Sequence, residues 1–138
     1  SREFAEAHLR SMVWRSAEAL FVRGRVDDCL APDPARHVVV AGDLNDQPGS
    51  HVVRVVTGGG AAALLPCADA VPAARRYSIF LRGAPQQIDH LLVTPGLRAK
   101  LHDARFLNED LRDHGELDPE SSPTTDSDHA PFVVSFLS

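Results

Sequence analysis

The sequence predicts an α/β chain in which one long amphipathic helix precedes a series of short strands. Phe4, Leu9, Met12, Val13, Ala17, Leu20 and Phe21 recur at mostly three- and four-residue steps, the helical period. Later apolar runs such as VVVA at 38–41 and FVVSF at 132–136 are too short for helices and rich in β-branched residues. A composition of 43% hydrophobic and 24% charged residues over 138 positions is a globular balance, enough for one domain with a single core.

The helix is expected over residues 1 to about 30, started by Ser1 or a neighbour and interrupted near Gly24, with Trp14 packed into the core. Pro32 and Pro34 break the chain before the run at 38–41, which reads as a strand buried on both faces. Residues 43–50 form a polar turn, and Ser50 is placed to cap a short helix over 51–56. Gly58 to Gly60 and the Ala-rich, Pro-bounded stretch up to 74 read as loop. Residues 77–81 and 88–93 look like two strands of one hairpin, joined through Gly83 and Pro85. A strand at 101–106, a polar loop at 108–126 and the closing strand at 132–136 complete the chain, with no internal repeat.

A formal net charge of −5 argues against a protein held to nucleic acid by a broad basic surface, because Lys and Arg neutralisation of phosphates supplies most non-specific affinity. Local positive charge from a divalent metal keeps a phosphate substrate open despite that acidity. Cys29 and Cys67 are too few and too far apart for a zinc knuckle or a disulfide framework. No stretch approaches the roughly 18 apolar residues of a membrane span, and residues 1–10 are too charged to read as a signal peptide.

Three polar clusters stand at the ends of expected strands, where ligand sites of sheet-based enzymes gather. They are GDLND at 42–46, QIDH at 87–90 and SDHAP at 127–131. Taken singly each is weak, since Asp and Asn after a strand are favoured turn residues and a lone His is more often structural than catalytic. A calcium loop also fails. Asp43-x-Asn45 opens like one, but Pro48 stands where that loop needs Gly, and the run ending at Asp128 lacks its closing Glu.

Taken together and in order, GDLNDQPGS at 42–50, QQIDHLLVTPGL at 86–97 and SDHAPFVVSF at 127–136 resemble the endonuclease/exonuclease/phosphatase family, which includes deoxyribonuclease I-like enzymes. The resemblance spans essentially the whole chain, aligned to the second half of a family domain. It implies half of a four-layer α/β sandwich, a mostly antiparallel sheet with an outer helix. It also implies metal-dependent hydrolysis of a phosphoester, more often a phosphodiester, with the nucleic acid, phospholipid or inositol phosphate class unresolved.

Carried over residue by residue, the resemblance gives His129 the role of general base, its ordinary pKa of about 6.5 lying close to operating pH. Asp89 would accept the other imidazole proton and orient the ring, which calls for an oxygen–nitrogen distance within about 3.2 Å. Asp43 would hold the attacking water or protonate the leaving group, and Asn45 would donate to a phosphoryl oxygen. Asp128 would face the cation, with Mg2+ favoured by oxygen ligands and Mn2+ or Ca2+ as alternatives. All five residues should then converge at one edge of a sheet.

The family's metal-binding Glu, early Asn and further His or Tyr come from an amino-terminal half that has no counterpart here. Glu3, Glu6 and Glu18 read as the solvated face of the first helix. The expectation is a fragment whose sheet is covered by that half or by a second chain. Its rival is a non-catalytic module that keeps the fold for interaction. His90 should point to the opposite strand face from Asp89 and serve structure, His8, His37, His51, His102 and His114 show no metal spacing, and Arg75, Arg76 and Tyr77 are weaker candidates for substrate contact.

Overall fold

The computed structural model describes residues 1–113 and 127–138. It is an α/β chain of helix and antiparallel strand. Helix α1 runs from Arg2–Leu30 without interruption at Gly24, and the Ser1 hydroxyl caps it by accepting from the Phe4 N–H. A glycine inside a helix costs only about 1 kcal/mol relative to Ala, which a helix of this length absorbs.

The buried positions of α1 are Ala19, Arg23, Val26 and Leu30, alternating four- and three-residue steps confined to its second half. The apolar residues that revealed the helical period lie elsewhere on it. Phe4, Leu9, Val13, Leu20 and Phe21 are exposed, and Trp14 is 66% exposed instead of packed in the core. Periodicity established the helix but not which of its faces is covered.

Strand β1 (Val39–Asp43) leads through the 44–50 turn to α2 (His51–Thr57), capped by the Ser50 hydroxyl as expected. The stretch read as loop after Gly58 holds a short strand β2 (Leu65–Pro66) and three 3-10 turns, with Leu64, Cys67, Ala68 and Val71 buried. Hairpin β3 (Ile79–Leu81) and β4 (Ala84–Gln86) is followed by β5 (Asp89–Val93), the short helix α3 (Pro95–Arg98), β6 (Leu101–Phe106) and β7 (Phe132–Phe136). Among the described residues no helix is long and apolar enough to cross a membrane. The expected polar loop is described only as far as 113, so its remainder at 114–126 lies outside the described residues.

Two strand expectations are corrected. Residues 77–81 and 88–93 do not pair as one hairpin: β3 turns through Arg82 and Gly83, both at positive φ, straight into β4. Two consecutive positive-φ residues match the twist of a tight hairpin, and Pro85 is tolerated because β4 pairs on one side only. β5 instead lies at the centre of a three-stranded antiparallel sheet in the order β1-β5-β2. β1 is therefore an edge strand and is not buried on both faces, Val39 being 48% exposed and Ala41 exposed.

The register of β1 on β5 pairs Val40 with Leu92 and Gly42 with His90, so these four share one face. That face meets the main core, where Ala19, Val26 and Leu30 of α1 and Val52 and Val56 of α2 pack with Leu64 and Leu92. Ala41 and Leu91, then Asp43 and Asp89, are paired on the other face. A second core of Ala68, Val71, Ala104 and Phe106, with Phe132 and Val134, holds β6 and β7.

Arg23 joins α1 to α2. Its guanidinium donates to the carbonyls of Thr57 at 3.0 Å and Ala62 at 3.1 Å, and pairs with Asp27 on its own helix. The last carbonyls of a helix lack intrahelical partners and carry its negative dipole end, so a buried cation satisfies both needs. Gly58 makes the approach feasible, since a Cβ there would lie 2.5 Å from the Arg23 Nη1 and the backbone sits at φ +70°.

Candidate active site

Antiparallel pairing places Asp43, the last residue of β1, directly opposite Asp89, the first of β5. Two carboxylates facing each other across a strand pair repel, so the arrangement needs a cationic or hydrogen-bonding partner. His129 provides it. Its Nδ1 lies 2.8 Å from the Asp89 Oδ2, and one ligand atom from each of Asp43, Asp89 and His129 lies within 4.8 Å of the others.

The Asp43 turn is held from three directions. The Asp43 Oδ1 accepts the Asn45 N–H at 2.7 Å, an Asx-turn that puts Asn45 at φ +52°, a conformation Asn tolerates better than most residues. The Leu44 N–H donates to the Ile88 carbonyl at 2.9 Å. From the far face of β5, the His90 Nε2 donates to the Asp46 carbonyl at 2.8 Å. Gln87 Nε2 must donate to the Asp89 carbonyl, so the His90 Nδ1 beside it, at 3.3 Å, is the acceptor and the Nε2–H tautomer follows.

His90 thus points away from Asp89 and acts structurally, as strand alternation predicted. Burial disfavours its charged form and lowers its pKa below 6.5, despite the Asp46 carbonyl and the nearby carboxylates that oppose the shift. A depressed folded value means that stability is present above pH 6.5 and is lost as pH falls through the folded pKa.

Ser78, which no spacing or motif in the sequence singled out, is the joint of the site. It is fully buried, and its Oγ accepts the N–H groups of Ile88 and Asp89, each at 3.1 Å. Its carbonyl accepts the Ala130 N–H at 2.8 Å, so one residue fixes both the Asp89 strand end and the segment carrying His129. A hydroxyl just ahead of an apolar strand has no sequence signature until its partners are known.

The other expected site residues are placed less centrally. Asn45 is exposed, and among the described residues its side chain makes no hydrogen bond, so it contributes to the group through its backbone. Asp128 Oδ1 stands 4.0 Å from the His129 Nε2, outside the gathered trio. Asp43 supplies the second carboxylate of that trio. Arg75, Arg76 and Tyr77 are committed to the protein itself. Arg75 pairs with Glu109, Arg76 donates to the Val71 and Asp69 carbonyls, and the Tyr77 hydroxyl reaches the Asn108 carbonyl.

Burial works against a charged His129, but the hydrogen bond and charge of Asp89, with further attraction from Asp43 and Asp128, outweigh it and raise its pKa above 6.5. The sign is opposite to that of His90: this contribution to stability is complete below pH 6.5 and disappears as pH rises through the folded value. Asp89→Asn should lower the His129 pKa, read from imidazole carbon shifts in an NMR titration. An unchanged titration curve would show that Asp89 does not set the charge state of this ring.

Once neutral, with Nδ1–H donated to Asp89, the ring presents its Nε2 lone pair to the half-open side of the site, where it can take a proton. The donor set of two carboxylates and an imidazole also suits a divalent cation. Because Nδ1 is engaged by Asp89, the carboxylates fit such an ion better than the imidazole does. No protein-family model matches the chain, and searches of curated proteins and of solved structures found no match.

Proposed function

We propose that this chain carries the base and part of the cation site of a metal-assisted phosphoester hydrolase, more plausibly a phosphodiesterase or nuclease than a monoesterase. The observation that supports this best is the 2.8 Å contact between Asp89 and His129 with Asp43 gathered beside it. The ordered GDLND, QIDH and SDHAP clusters, which resemble the endonuclease/exonuclease/phosphatase family, supply all three residues. On this reading the fold is half of a deoxyribonuclease I-like sandwich.

His129 Nε2 takes a proton from water as the water oxygen forms its bond to phosphorus. The bond from phosphorus to the leaving oxygen breaks in line with that attack. Asp89 holds the ring in the required tautomer and stabilises the imidazolium that results. Asp43, one oxygen already tied to the Asn45 N–H, offers the other to the attacking water or to a cation shared with Asp128. A divalent cation, Mg2+ by preference, would supply positive charge against the charge developing on the phosphoryl oxygens.

Mg2+ favours about six oxygen ligands, more than Asp43 and Asp128 offer, so further ligands come from water, substrate or a segment outside these residues. The exposed β1 residues Val39 and Ala41 continue directly from Asp43, and we place the covering segment there.

Mn2+ in trace amounts, used as a paramagnetic probe, should broaden the NMR signals of Asp43, Asp128 and His129 before those of remote residues. Broadening centred elsewhere, or none, would remove the cation from this reading and favour a non-catalytic interaction module.

A further inference from the structure

On the face of β5 turned away from Asp43, Asp89 and His129, a cavity of about 530 Å³ opens between α2 and the segment following β2. Val53, Pro66 and Leu92 give it apolar walls, and His90 and Gln87 line it. A cleft of this size, mainly apolar with a few converging polar groups, is the usual form of a small-molecule site.

Two features indicate what it would take. Gln87, one of the lining residues, is 5% exposed, and among the described residues its Oε1 has no hydrogen-bond partner, leaving a buried acceptor unsatisfied beside the cavity. Arg54 is exposed on the lining and, among the described residues, has no carboxylate partner. The Asp69 carboxylate on the same lining is matched by Arg76 at 4.0 Å, so among the described residues Arg54 is the uncompensated charge of the lining.

We propose that this cavity binds a small amphipathic anion, a compact apolar body bearing one carboxylate or phosphate and a hydrogen-bond donor at its far end. The apolar body lies among Val53, Pro66 and Leu92, the anion meets Arg54, and the donor serves Gln87. The occupant also rests against His90, the imidazole that anchors the Asp46 carbonyl of the opposite site. This inference stands independently of the hydrolase reading.

The test is methyl NMR of the 138-residue chain titrated with 6-hydroxy-2-naphthoate, which carries a carboxylate and a hydroxyl at opposite ends of an apolar bicycle. Saturable shifts are expected at the Val53 and Leu92 methyls and not at Val39 on the open sheet face. Arg54→Glu should weaken that binding by roughly three- to tenfold, the scale of one exposed charge pair. It should leave 2-naphthol, which lacks the carboxylate, unaffected. The proposal fails if the Val53 and Leu92 methyls do not saturate, if Arg54→Glu has no effect, or if it weakens both probes equally.

Discussion

His129→Ala is expected to lower hydrolysis of bis-p-nitrophenyl phosphate by roughly 10²–10⁴ in protein that carries the complete cation site, the range typical of losing a positioned general base. The substitution removes the ring that Asp89 holds at 2.8 Å and leaves the Asp89 carboxylate facing Asp43 without its imidazole partner. The side chain is half-buried and outside both hydrophobic cores, so the urea midpoint should move far less than the rate. In the active protein the rate should rise with pH as His129 loses its proton, because only neutral imidazole accepts one. Chelation by EDTA should abolish activity. Full activity of the alanine variant, or equal rates in EDTA and Mg2+, would sink the mechanism. The 138-residue chain alone should be inactive or nearly so, and vigorous turnover by it would show that the ligands present suffice.

Arg23→Leu is expected to cost about 2–4 kcal/mol of stability, among the larger effects available to a single substitution outside the site. Leucine keeps much of the apolar stem but leaves the Ala62 carbonyl without its Arg23 donor and the Thr57 carbonyl, at the end of α2, with the Leu64 N–H alone. Most of the cost comes from those carbonyls, since Asp27 is exposed and water replaces its partner. Asp27→Asn should therefore do little, and Arg23→Lys should recover only part of the loss, because an ammonium cannot reproduce the guanidinium fork. An unchanged urea midpoint for Arg23→Leu would mean that solvent reaches those carbonyls.

The elements legible in advance were those with a local physical cause. Ser50 capping α2 and the short apolar runs of β1, β5 and β7 depend on neighbours in sequence, and all were placed close to their observed bounds. What the chain did not disclose locally is which surfaces meet. VVVA forms a strand whether one face is covered or two, and the conspicuous apolar residues of α1 lie off the stripe that meets α2. The hairpin was assigned the wrong second strand because a positive-φ pair at Arg82 and Gly83 closes a tighter turn than the spacing of apolar runs suggests.

The candidate site divides in the same way. Asp43, Asp89 and His129 were legible because their chemistry is written in side-chain type and order, although their convergence across 40 residues from Asp89 to His129 is a tertiary fact. Ser78 was not, because its role is to receive two backbone donors and to offer a carbonyl, and neither leaves a trace in residue type. For Asp128 and Asn45 position in a motif suggested direct roles; Asp128 stands 4.0 Å from the His129 Nε2, and the Asn45 backbone N–H ties the Asp43 turn.

Asp89 and His90 are neighbours on one strand, so a dipeptide encodes two duties that belong on opposite sides of a sheet. A slip of one residue in the pairing of β1 with β5 would exchange them, turning a carboxylate toward α1 and α2 and an imidazole toward Asp43. A carboxylate buried without a partner is far less tolerable than a neutral ring. The mispaired chain would fail to fold before it could be tested for activity. Single-residue insertions or deletions within 86–93 should therefore be lost as insoluble protein. Two-residue changes preserve the alternation and should more often survive as folded, altered variants.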